Sequence, residues 1–166
     1  MDKIKWCLGK KSGIELIEPN QNLADGYIKK AEESLETSKL AKSKDWKISG
    51  SYYAIYFSIY SVMMQIGIKC EIHSCTIEFT KRFLKDYISA EDLKLFETGF
   101  DARNDSQYYV DREVAPDDYE KLIKEAPAFL AKCKNVHLTE DIVNEIRGKL
   151  KKYIKKRFTK SRFKNN

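Results

Sequence analysis

A chain of 166 residues that is 42% hydrophobic and 12% aromatic can bury one core without a metal or disulfide staple, and its four cysteines form no CxxC pair, which argues against a finger or ribbon zinc fold. The net charge of +6 is concentrated, because ten Lys and Arg residues and no acid lie from Arg147 onward, leaving 21 cationic against 25 acidic side chains before it. Lysines scattered through the first residues break any secretory apolar run, so a cytoplasmic protein with buried or free thiols is expected.

Residues 1–19 hold Gly9, Gly13 and Pro19 and predict an irregular lead whose Trp6, Leu8, Ile14, Leu16 and Ile17 pack on the body. A first helix is expected over residues 22–42, with Leu23, Tyr27, Ala31, Leu35 and Ser38 inward. A tight connection then leads into residues 45–68, DWKISGSYYAIYFSIYSVMMQIGI, with Asp45 as N-cap and Gly67 at the left-handed end. This stretch is apolar on more than one stripe, so other helices must wrap it. Lys47, Gln65 and its tyrosine hydroxyls make it too polar for a membrane span. Each buried tyrosine hydroxyl there needs a partner. Ser74 is expected to cap a shorter helix to about Tyr87, and Ser89 with Asp92 to open another that runs towards Tyr109. Pro116 opens the next helix, and Thr139 the last, whose Ile142, Ile146, Leu150, Ile154 and Phe158 recur at intervals of four. The expected fold is all-α, an up-and-down antiparallel bundle of four to five helices over residues 1–146 with a basic helical tail over residues 147–166.

The segment FDARNDSQYYVDR (residues 100–112) carries chemistry, because a helix that has been burying phenylalanines turns polar. Helical spacing puts Arg103 and Gln107 on the face of Phe100, towards the central tyrosines, while Asp101 and Asp105 offer the alternative of a plain ion pair. Cys70, His73 and Cys75 lie close together, but no fourth ligand is near in sequence, so no metal and no cofactor are expected.

The succession YIKKAEESLETSKLA, DWKISGSYYAIYFSIYSVMMQIGIK, EIHSCTIEF and DARNDSQYYVDR, followed by a helix ending APAFL, resembles the HEPN superfamily, over roughly Leu23 to Lys134. The resemblance implies a homodimer that binds nucleotide or RNA, in some settings partnered with a nucleotidyltransferase in a toxin–antitoxin pair. In the active branch it implies a metal-independent ribonuclease with an arginine and a histidine separated by four to six residues. Arg103 matches the arginine, but the histidine positions hold Tyr108, Tyr109 and Val110. His73, at a helix start, is the other candidate for the chemistry, and Tyr53, Ser74, Asn104 and Gln107 with the two tyrosines are the expected ligand contacts. Outside the resemblance, Lys151, Lys152, Lys155, Lys156 and Arg157 suit a phosphate backbone. The leading expectation is a nucleotide- or RNA-binding module dimerising through one face of the tyrosine-rich helix and the Arg103 helix. A ribonuclease using Arg103 with His73 or a tyrosine hydroxyl, or a structural assembly protein, is the alternative.

Overall fold

The tyrosine-rich helix threads the middle of the molecule. The structure, a computed structural model, describes residues 2–162, with side chains through Lys155. The helices are α1 (Lys3–Cys7), α2 (Gln21–Leu40), α3 (Lys44–Ile66), α4 (His73–Phe83), α5 (Ala90–Tyr108), α6 (Pro116–Lys134) and α7 (Glu140–Arg162). β1 (Glu15–Leu16) and β2 (Ile68–Lys69) form a two-stranded antiparallel ladder in which Glu15 faces Lys69 and Leu16 faces Ile68. The fold is all-α, as its periodicity predicts. No helix among the described residues is long and apolar enough to cross a membrane.

From Ile48 on, α3 is buried except along the half-buried Tyr53, Phe57 and Gln65, with Ile48, Tyr52, Ile55, Ile59, Met63 and Ile66 enclosed by α2, α5 and α6. Its partnership with α2 depends on small residues. The buried positions of α2 are Ala24, Ala31 and Ser38, seven apart, and the last of them faces Gly50 of α3. A Cβ on Gly50 would lie 2.8 Å from both the Ser34 carbonyl oxygen and the Ser38 amide nitrogen. The Ser38 hydroxyl donates to the Lys47 carbonyl at 2.8 Å and accepts from Ser51 at 2.8 Å, so this buried polar pair in the seam is satisfied.

Several boundaries differ from the sequence reading for local reasons. Asp2 accepts from the Ile4 amide and starts α1 where an irregular lead was expected. Ser43, not Asp45, is the N-cap residue of α3, and Asp45 falls in the first turn, where its charge still complements the helix dipole. α4 begins at His73, one residue before Ser74, and ends at Phe83. Leu23 is 46% exposed because Ala24 takes the inward position beside it. The capping box of Ser89 and Asp92 forms as read.

The cysteines require a correction. Cys7 and Cys75, expected as thiols, form a disulfide across a sequence separation of 68, while Cys70 and Cys133 are free and buried. The β1–β2 ladder lays α1 beside α4, a proximity that cysteine spacing does not reveal.

α7 crosses residue 147 without a break. Val143, Ile146 and Leu150 are buried, and Arg147 Nη1 donates to the carbonyls of Ile17 (2.7 Å), Ile66 (2.9 Å) and Gly67 (3.1 Å). Gly67 closes α3 with φ 76°, and a Cβ there would strike that same Nη1. Arg147 is therefore part of the body, not a free tail cation.

Candidate functional site

The four tyrosines of α3 all find partners, and those partners define the site. Tyr60 accepts from the Cys70 amide at 2.9 Å and Tyr56 donates to the Cys70 carbonyl at 3.4 Å, which fixes the turn leading into α4. Burial pushes the Tyr60 phenol up to about 12. The first turn of α4 then presents His73, whose ring stacks on Tyr56 with centroids 4.2 Å apart and planes 10° apart.

Tyr52 sets the state of His73. Its hydroxyl is fully buried and lies 2.5 Å from His73 Nδ1, its one hydrogen-bond partner among the described residues. Burial, followed by the neighbouring Tyr56, pushes the Tyr52 phenol far above its ordinary range, so it stays protonated. A buried O–H without an acceptor is costly, so Tyr52 donates and Nδ1 accepts. A neutral imidazole that accepts at Nδ1 carries its proton on Nε2. Burial, followed by the charge of Arg103, lowers the His73 pKa to about 4, so the ring is neutral across the physiological range. His73 thus offers a neutral donor at Nε2 and no lone pair for a general base.

This state gives a direct expectation. In long-range ¹⁵N–¹H spectra His73 should show the Nε2–H tautomer at about pH 7.5 and keep it down to about pH 5.5. A His73 signal with the proton on Nδ1 would show that Tyr52 is the acceptor, and one that titrates near pH 6.5 would show that the ring is not shielded from water. The sign for stability follows from the lowered value. The unfolded chain binds the proton first, so the His73 contribution is complete above 6.5 and fades as pH falls towards 4.

Arg103 stands beside the imidazole. Nη2 donates to the Tyr53 hydroxyl at 2.8 Å and Nη1 to Asn104 Oδ1 at 3.1 Å. The guanidinium carbon lies 5.5 Å from the Tyr53 ring centroid and 5.0 Å from that of Tyr108, a cation held between two aromatic rings. It pairs with neither nearby acid. Asp105 is bonded to Arg112 at 2.8 Å, and the Asp101 carboxyl is pushed up by burial and by the charge of Asp105. No carboxylate among the described residues offsets the guanidinium charge.

The structure therefore gathers Arg103, His73, Tyr53, Asn104 and Tyr108. Tyr109 lies apart, with the Arg112 guanidinium 3.6 Å from its ring centroid. Ser74 shares the first turn with His73 but makes no hydrogen bond to the cluster among the described residues. Gln107 faces a neighbouring recess with Arg103. Lys151, Lys152 and Lys155 are exposed on α7, and the side chains of Lys156 and Arg157 lie outside the described residues. Since Arg147 is anchored at Gly67, fourteen residues along α3 from Tyr53, the basic helix departs about 20 Å from the cluster along the helix axis. Sequence reasoning missed Tyr52, although its spacing of four from Tyr56 places the two on one face.

A family model described as HEPN domain matches residues 24–136. A UPF0332 protein of Archaeoglobus fulgidus is 27% identical over 116 residues, covering 65% of this chain and 90% of the relative. The matched segment contains α3, α4 and α5 with every residue of the cluster, and leaves α1, β1 and α7 outside.

Proposed function

Because this chain belongs to the HEPN family, whose domains commonly dimerise, we propose that it is a homodimeric module that binds single-stranded RNA or a nucleotide without hydrolysing it. The reading includes a nucleotidyltransferase as partner protein, in the manner of a toxin–antitoxin pair. The observation that carries it is the Tyr52–His73 hydrogen bond. With Nδ1 occupied and Nε2 protonated, His73 and Arg103 are both donors, and two donors side by side make a receptor for a phosphate oxygen. Cleavage through the ribose 2′-hydroxyl needs an acceptor for its proton, and this pair has none to offer at neutral pH. Lys151, Lys152 and Lys155 add contacts that weaken with salt.

Fluorescence anisotropy with a labelled single-stranded oligoribonucleotide tests the reading. Removing one charged donor costs about 1.5–3 kcal/mol, so Arg103→Ala should weaken binding by roughly 10- to 150-fold. Arg103→Lys should recover only part of that, because an ammonium lacks the planar fork. Unchanged affinity in Arg103→Ala would remove the cluster from the binding site. Cleavage of the RNA in the presence of chelator, lost in His73→Ala, would replace binding by hydrolysis.

A further inference from the structure

We propose that the recess walled by Trp46, Ser49 and Gln107, next to Arg103, is a pocket for one unstacked nucleobase of the bound strand. The inference rests on the reading of the protein as an RNA- or nucleotide-binding module and assigns that site a second half. The recess has a volume of about 300 Å³ and lies between α2, α3 and α5. That is the small end of ligand pockets, suited to one flat ring system.

Its polar groups lack protein partners. Ser49 is 3% exposed, yet its hydroxyl oxygen makes no hydrogen bond, and the same is true of the buried Arg103 Nε. The Gln107 carboxamide has no hydrogen bond among the described residues either. Buried polar groups are normally satisfied, and two unsatisfied ones beside a half-buried carboxamide at one small recess point to a ligand. The hydroxyls on the opposite wall are already committed, Ser34 to the Lys30 carbonyl at 2.8 Å and Thr37 to the Glu33 carbonyl at 2.9 Å. Neither Ser49 Oγ nor Arg103 Nε is open to water, so solvent does not stand in. In our proposal an entering group engages them after Ser49 turns about χ1 and the Arg103 stem shifts slightly.

The wall selects the kind of group. Trp46 is 60% exposed and has no aromatic partner among the described residues. It lies one helical turn from Ser49 and two from Tyr53, on the same face of α3. An indole offers a stacking surface to any base, while a carboxamide supplies both a donor and an acceptor to a base edge. An aliphatic peptide side chain would leave Ser49, Arg103 Nε and Gln107 unsatisfied. With Nη1 and Nη2 of Arg103 engaged by Asn104 and Tyr53 on the cluster side and the same residue lining the recess, one arginine adjoins both the phosphate and the base of a single nucleotide.

The test compares a short single-stranded oligoribonucleotide with an abasic ribose-phosphate oligomer of equal length, by anisotropy and by tryptophan quenching. Wild type should prefer the base-bearing strand by about tenfold. Trp46→Ala should lose that preference while binding the abasic strand as wild type does, and Trp46→Tyr should restore most of it. Gln107→Ala should lower the preference without touching the quenching of Trp46. Equal preference in wild type and Trp46→Ala overturns the pocket while leaving RNA binding intact. Failure of wild type to bind either strand overturns the functional reading and the pocket with it. A Trp46→Ala protein that becomes monomeric but keeps its preference marks the recess as a contact between copies, which also overturns the proposal.

Discussion

Gly50→Ala is expected to destabilise the domain by about 2 kcal/mol, although the same exchange in an ordinary helix is stabilising. A glycine inside a helix costs about 1 kcal/mol relative to alanine, so the substitution begins with a gain. Against it stands a methyl group placed 2.8 Å from the Ser34 oxygen and the Ser38 nitrogen and 2.9 Å from Ser38 Cα, all backbone atoms of α2. Backbone does not swing aside as a side-chain tip does, so α2 and α3 must part along a seam. Overpacking of this kind costs about 1–3 kcal/mol and sometimes more. The Ser38–Ser51 and Ser38–Lys47 hydrogen bonds stretch at the same time. Gly26, also in α2, has nothing within 4 Å of a built Cβ, so Gly26→Ala should stabilise by about 0.5–1 kcal/mol. Urea denaturation of the two variants should give shifts of opposite sign. Shifts of the same sign would mean that the α2–α3 approach is looser than described.

Removal of the Cys7–Cys75 disulfide should have a still larger effect. The bridge joins positions separated by 68 residues, and closing a loop of that length in the unfolded chain corresponds to about 4 kcal/mol in the chain-entropy model. For a domain of this size that is a fall of roughly 10 °C in midpoint. The double variant Cys7→Ala with Cys75→Ala isolates the cross-link without leaving a lone thiol. Both half-cystines are fully buried, so reductant should act slowly and only as the domain opens. Equal midpoints for the oxidised protein and the double variant would show that the bridge contributes nothing. In a reducing compartment the pair stays open, and the fold then depends on its core alone.

The central helix was legible because a run such as YYAIYFSIY has no polar face to offer water, which dictates burial wherever the other helices fall. Ser89 and Asp92 were legible because a capping box is a local contract between residues three apart. The placement of Arg103 towards Tyr53 followed from a single helical face shared with Phe100. What escaped was whatever the tertiary fold decides. A five-residue helix carries too little periodicity to register, and two-residue strands carry none. The disulfide depends on a ladder made of those strands. The pairing of Tyr52 with His73 depends on the turn after Gly67, whose direction is set by Tyr56 and Tyr60 bonding to Cys70. Trp46 read as one more apolar residue of α3, and only its exposure distinguishes it from its neighbours.

Arg147 closes the C-terminal end of α3 from a point 81 residues further along the chain than Ile66. On the ribosome, that end of the central helix is made long before its donor exists. The carbonyls of Ile17 and Ile66 must remain hydrated, or held by whatever else is at hand, until residue 147 has emerged, whereas that of Gly67 already accepts from the Ile17 amide. Contacts of such long range slow the final step of folding. A nascent chain stalled before that point would show α2 and α3 paired while the Gly67 turn still exchanges its amide protons freely.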